Sequence, residues 1–161
     1  MRFRHIVLAA RMLGCLCASA GALGAQSASA VQVRDAWVRW LPGDLPAGGY
    51  VTLTNTSDQS ASLVAASSPD YAQVSLHRSL QVSGTSRMMP VQKITVAAHA
   101  SLEFAGHGYH LMLEHPKKTL HPGDRVAVTL SFAGGSQVTV QFELRAPDAV
   151  VERPVMPGMA H

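Results

Sequence analysis

The sequence has almost no cysteine. Of its 161 residues only two are cysteines, Cys15 and Cys17, and both fall within the first thirty. Beyond them there is no thiol and no disulfide. The rest of the chain must fold on its hydrophobic core alone, and it suits a compartment that oxidises free thiols. A membrane-spanning run is also lacking, because the apolar stretch near the start is too short and too broken. So is a basic face. After residue 30 the chain holds ten Lys plus Arg and ten Asp plus Glu, so its formal charge of +3 sits in the first thirty residues. That speaks against a nucleic-acid surface. There is no G-x-S-x-G, no H-E-x-x-H, no phosphate-binding glycine loop and no evident carboxylate pair. The expectation is a protein that is not an enzyme. Nor does any window carry a convincing helical period.

What is present begins with a leader. "MRFRHIVLAARMLGCLCASAGALGAQSASA" opens with Arg2, Arg4 and Arg11, continues through a small apolar run and ends in Ala28-Ser29-Ala30. This is the pattern of a secretory signal peptide over 1–30 with cleavage after Ala30. "MLGC" before Cys15 loosely resembles a lipobox, which gives a lipid-anchored alternative. Either way the expected location is the periplasm.

From residue 31 the pattern is β throughout. "VQVRDAWVRW" alternates over Val31, Val33 and Trp37, and "YVTLTNTSD" sets Val51, Leu53 and Asn55 against Tyr50, Thr52 and Thr54. "ASLVAASSP", "AQVSLHRSLQV", "MMPVQKITV", "ASLEF", "YHLMLE", "RVAVTLSF" and "QVTVQFEL" follow, divided by Gly, Pro, Asn or Asp signals such as "HPGD" and "GGS". Short strands at close spacing predict an all-β, antiparallel sandwich or Greek-key barrel over 31–146. The stretch 147–161, "PDAVVERPVMPGMAH", reads as a flexible tail carrying Met156, Met159 and His161.

The unusual content is histidine and methionine. After residue 30 there are seven His and five Met. A single surface His or core Met is ordinary, but the spacing groups some of them. In "GYHLMLEHP", His110 and Met112 lie two apart and so share one strand face, while Leu111 and Leu113 turn to the core. His77 and Met88 flank a turn at Ser83-Gly84 and can come together on a hairpin. Two imidazoles and two thioethers then converge. Thioethers are soft, neutral ligands suited to Cu(I) and poor for Mg, Ca or Mn. Two of them argue against zinc, and a blue-copper carrier needs a thiolate that this chain lacks. Neutral ligands also leave the ion's charge uncompensated, which favours moderate affinity and hand-over.

The spacing carries a resemblance. From His77 to Met88 there are ten intervening residues, from Met88 to His110 twenty-one, and from His110 to Met112 one. The sequence thereby resembles the periplasmic copper chaperone family often called PCuAC. "DAWVRWLPGDLPAGGYVTLTN", "SSPDYAQVSLH", "GYHLML" and "LHPGDRVAVTLSF" resemble that family's flanking segments, and the likeness extends over about Val31 to Leu144. It implies a cupredoxin-like β-sandwich and a Cu(I) site made of His77, Met88, His110 and Met112. It also implies delivery of copper to apo-targets, typically the binuclear copper centre of cytochrome c oxidase, alongside a Sco-type partner.

Several positions depart from the family pattern without removing a ligand. Arg78 follows the first His where an acidic residue is common, Met89 replaces a common basic residue, and "GHGYHLML" stands where "PGGYHLML" is usual. Met89 and His107 are therefore accessory candidates, as competing donors or as ligands for Cu(II) at a second, weaker site. Met156, Met159 and His161 are further accessory candidates. The chain is expected to be a monomer without membrane insertion. Three other readings compete: a periplasmic copper buffer of the same fold, a non-metal β-sandwich for adhesion or assembly, and a redox protein.

Overall fold

The computed structural model describes residues 30–147. All but the inner ends of the expected leader (1–30) and tail (147–161) lie outside them, and so do Met156, Met159 and His161.

Ten strands follow one another: β1 Val31–Arg39, β2 Ala47–Asn55, β3 Ala61–Ser67, β4 Tyr71–Val82, β5 Thr85–Pro90, β6 Ile94–Val96, β7 Ser101–Glu103, β8 Tyr109–Pro116, β9 Arg125–Phe132 and β10 Gln137–Arg145. The described residues contain no α-helix. β2 and β9 show why alternation is a dependable guide. Each buries every second residue, Val51, Leu53 and Asn55 on one strand and Val126, Val128 and Leu130 on the other. The core is a single cluster around Phe142, Leu53, Leu63, Ile94, Leu111, Leu113 and Leu130. Asn55 is the polar exception. Its amide donates to the carbonyls of Gln59, Val96 and Ala97, and its carbonyl oxygen accepts from Ser57. A buried amide satisfied in this way stabilises the turn it binds.

The strands form one continuous ladder, in the order β5-β4-β8-β2-β1-β10-β9-β3-β6, with β7 also paired to β2. It curls until β3 and β4 touch. The expected all-β fold is present, with three local corrections. First, β1 and β10 run parallel, through Trp37 with Glu143 and Val38 with Leu144. This pairing ties the two halves of the ladder together. Second, β1 does not keep one phase. Its register with β2 shifts between Arg34 and Trp37, and Asp35 has φ of 52°. The extra residue of this bulge turns Val38 inward. Trp37 therefore leaves the core series that began with Val31 and stacks on Tyr50, with ring centroids 4.5 Å apart. Third, "MMPVQKITV" is not one strand. β5 ends at Pro90 and β6 begins at Ile94, on opposite edges of the ladder.

One feature of the topology makes room for a site. β7 and β8 run along the same edge of β2, β7 beside Thr52–Thr54 and β8 beside Ala47–Gly49. Between them the chain leaves that edge. Phe104 N–H still donates to Val51, but the next residues form a turn in which Gly108 N–H donates to Ala105 C=O at 2.9 Å. This outward step leaves Tyr50 without a β8 partner and opens a hollow next to it.

Candidate metal centre

Three neighbouring strands, β5, β4 and β8, bring the four sequence candidates to one face. On β4 that face carries Ser75, His77 and Ser79; on β8 it carries His110 and Met112; on β5 it carries Met88. His77 and His110 are direct cross-strand partners. Their rings lie 5.8 Å apart between centroids and are tilted by 37°. Met112 lies opposite Ser75. The hairpin expected between His77 and Met88 is present: Met88 lies opposite Ser79, and Pro90 faces His77. The two methionines thus flank the histidine pair on diagonals. Diagonal neighbours in a sheet are roughly 7–8 Å apart, a gap that long side chains close.

The two imidazoles are held in complementary ways. His110 is 4% exposed, and its Nδ1 donates to the Gly108 carbonyl at 3.3 Å. That leaves Nε2, which is buried and has no hydrogen-bond partner. His77 Nε2 is 3.0 Å from Ser75 Oγ, and its Nδ1 is likewise buried and unpartnered. With the proton on the bonded nitrogen, each ring turns a bare lone pair inward. Buried polar atoms of native proteins seldom go unsatisfied. A metal ligand is one of the few roles that leaves a ring nitrogen in this state, with the other ring N–H fixed by a carbonyl or hydroxyl. Imidazole–metal bonds are roughly 2 Å long, so two rings at this spacing can reach one ion between them. Burial pushes the His110 pKa below its ordinary 6.5; the Gly108 hydrogen bond opposes this, and neighbouring His77 reinforces it. A depressed pKa keeps the lone pair free of a proton at neutral pH.

Beside the pair lies a cavity of about 690 Å³, lined among others by Arg39, Tyr50, Met88, His107, His110 and Met112. Among the described residues no carboxylate lines it. Gly48, the partner of Met112 on β2, is a glycine for a visible reason: a Cβ there would stand 2.9 Å from the Tyr50 hydroxyl. The Tyr50 ring thus lies across Gly48, over the strand next to Met112. Burial raises the Tyr50 pKa, against the pull of Arg39, so the phenol keeps its proton. Among the described residues no three His, Cys, Asp or Glu side chains converge. The candidate set is two imidazoles and two thioethers, which fits a soft monovalent ion better than a zinc ion.

The accessory candidates divide. Met89 pairs with Arg78 and points to the opposite face from Met88; it is 51% exposed and away from the cavity. His107 lines the cavity. Sequence reasoning missed Ser75, Ser79, Tyr50, Arg39 and the Gly108 carbonyl. Two of them had a signal: Ser75 and Ser79 lie two residues either side of His77 and must share its face. "AGGY" offered a weaker one, since glycine inside a strand often marks a close approach.

Comparison with known proteins places the chain. The family described as "LpqE-like: Putative lipoprotein LpqE-like" matches residues 31–144. The chain belongs to this PCuAC-type family. A relative named "Putative lipoprotein Lxx21020", from Leifsonia xyli subsp. xyli, is 33% identical over 138 residues, 83% of this chain and 82% of its own. The solution structure of CuI-DR1885 from Deinococcus radiodurans is 30% identical, with a TM-score of 0.60 over 76% of this chain and 83% of that one. The copper-bound PCuAC domain from PmoF2 is 22% identical, with a TM-score of 0.62 over 75% of this chain and 97% of that domain. At that identity the second likeness concerns the fold alone, which is the cupredoxin-like β fold of PCuAC domains.

Proposed function

We propose that this protein binds one Cu(I) outside the cytoplasm through His77, Met88, His110 and Met112, and hands it to apo-proteins. The observation that carries the reading is the facing pair His77 and His110. Each has a buried, unpartnered ring nitrogen, their centroids are 5.8 Å apart, and a thioether stands on either flank. Membership of a family whose relative DR1885 has been solved with Cu(I) supports the choice of ion. The lipoprotein names within the family, together with the missing thiols after Cys17, support a location beyond the cytoplasmic membrane. The role is binding and transfer of the ion, and copper is its cargo.

Hand-over is favoured over storage by the cavity's charge. All four donors are neutral, and among the described residues no carboxylate lines the cavity while Arg39 does. A bound cation therefore gains no counter-charge from these groups and shares the cavity with a guanidinium, which limits affinity and eases release. The proposed recipient is the binuclear copper centre of cytochrome c oxidase, directly or through a Sco-type protein. Copper-edge X-ray absorption of the Cu(I)-loaded protein tests the site: sulfur and nitrogen scatterers are expected together, and nitrogen and oxygen alone would overturn it. Oxidase activity of a deletion strain under copper limitation tests the role. Normal activity with lowered copper tolerance would show a buffer in place of a chaperone.

A further inference from the structure

Three of the four candidate donors, Met88, His110 and Met112, line the cavity, and His107 adds a further imidazole to its wall. We propose that His107 supplies an additional imidazole to Cu(II) in this cavity, so that a single hollow serves both oxidation states with overlapping ligand sets. The inference rests on the Cu(I) reading of His77 and His110. Cu(II) prefers nitrogen and oxygen donors in a tetragonal arrangement, and thioethers contribute little to it. Within the cavity wall the nitrogen and oxygen donors are few. Among the described residues no carboxylate is there, and Ser79, Ser86 and Tyr50 offer only neutral hydroxyls. Among the described residues His107 is the imidazole that shares the wall with His110.

Its position follows from the step between β7 and β8. His107 occupies the third place of the turn Ala105–Gly108, closed by Gly108 N–H to Ala105 C=O at 2.9 Å. Ala105 N–H also donates to Tyr109 C=O at 3.0 Å, so the turn's backbone is pinned at both ends. The same Gly108 carbonyl that orients His110 belongs to this turn. His107 is exposed, and a Cβ built at neighbouring Gly106 would meet nothing within 4 Å. Among the described residues three imidazoles do not converge. His107 lines the cavity from an exposed turn position, and the proposed recruitment is a rotation of its side chain. Rotation of an exposed side chain takes picoseconds to nanoseconds. Cu(II) would recruit the ring, and Cu(I), satisfied by the thioethers, would leave it free.

The test uses the full chain and its His107→Gln variant, loaded separately with Cu(II) and with Cu(I). Affinities are read by competition with chelators, and coordinated imidazoles are counted by pulsed electron paramagnetic resonance of the Cu(II) forms. The expected result is that His107→Gln loses about tenfold or more in Cu(II) affinity, as for a lost donor or its support. One imidazole also disappears from the spectrum, and Cu(I) affinity does not change. An unchanged Cu(II) affinity and imidazole count would overturn the proposal. Equal losses for both ions would overturn it too, since His107 would then act on the site without regard to oxidation state. A protein that binds no Cu(I) would remove the Cu(I) reading and the shared hollow with it, whereas normal Cu(I) binding with no effect of His107→Gln on Cu(II) would overturn this proposal alone.

Discussion

His77 and His110 face each other across β4 and β8, and each keeps one buried ring nitrogen without a partner. This is an arrangement that folding alone has no reason to build. An unsatisfied buried polar atom costs about 1–3 kcal/mol, and here two adjacent ones are retained on neighbouring strands. Apolar side chains at these positions would avoid that cost. The pair makes sense if an ion occupies the space between the rings.

Removing sulfur while keeping shape should separate ligand from filler. Met112→Leu and Met88→Leu conserve volume and apolarity, so their effect on stability should stay below about 1.5 kcal/mol. Met88 is 60% exposed, which makes its packing role smaller still. Cu(I) affinity should fall by about tenfold or more in each variant, with Cu(II) affinity little changed. Competition with a Cu(I)-specific chelator gives the number. Wild-type affinity in the double variant would mean that the thioethers only fill space.

Much of this was legible in the sequence, and the exceptions have causes. Strand positions followed from alternation because most strands bury one face. The face shared by His110 and Met112 followed from the same rule, with Leu111 and Leu113 fully buried behind them. β1 misled because the bulge at Arg34–Trp37 resets its phase. The hairpin that brings His77 and Met88 together is present, and its register depends on the turn. Val82 pairs with Thr85 around a two-residue turn, with φ of 50° at Ser83 and 80° at Gly84. Positive φ at both positions is the I′ hairpin geometry, and it fixes every later pair, so His77 meets Pro90. The cavity was not legible. It depends on β7 and β8 being two pieces along one edge of β2, and no local pattern encodes that.

The Ser75 hydroxyl should matter for copper more than for folding. It lies 3.0 Å from His77 Nε2 and fixes which nitrogen faces the site. Ser75→Ala removes that restraint and lets the ring rotate or change tautomer. Outer-shell partners of this kind are worth roughly 10–100-fold in metal affinity. Cu(I) affinity should drop within that range, while the melting temperature of the apo-protein moves little. A variant that binds copper as tightly as wild type would remove Ser75 from the site's support.

Acidification should weaken both the apo-protein and its hold on copper, in different windows. The folded-state pKa of His110 lies below 6.5, with burial as the main cause. Above about pH 6.5 the imidazole is neutral in the folded and unfolded chain alike, so it adds no pH dependence. As pH falls below that, the unfolded chain takes up the proton first and stability declines, until the folded-state pKa is reached and the loss levels off. Copper competes with protons only where the folded protein itself begins to protonate, so affinity should hold to a lower pH than for a free imidazole. Thermal unfolding of the apo-protein across this range, beside His110→Leu, isolates the histidine's share. A share that grows more stabilising on acidification would contradict the burial argument.

Two adjacent glycines under the site should respond differently to the same methyl group. At Gly48 a Cβ would meet the Tyr50 hydroxyl at 2.9 Å and its ring carbons at 3.2 and 3.3 Å. That is the far end of one half-buried side chain, which can swing away. At Gly49 a Cβ would meet Leu113 Cδ1 at 2.9 Å and Leu111 Cβ at 3.1 Å. Leu111 Cβ is rooted in the backbone of β8 and cannot yield without moving the strand that carries His110 and Met112. Overpacking a core typically costs about 1–3 kcal/mol. Gly49→Ala should show that loss, measured by denaturant unfolding, together with weaker copper binding as β8 is displaced. Gly48→Ala should cost less but push Tyr50 off its stack on Trp37, now at 4.5 Å. Its signature is a changed tryptophan fluorescence in a protein of nearly normal stability. If Gly48→Ala proved the more destabilising of the two, the Tyr50 ring would have to be a fixed part of the floor under Met112, with no freedom to move.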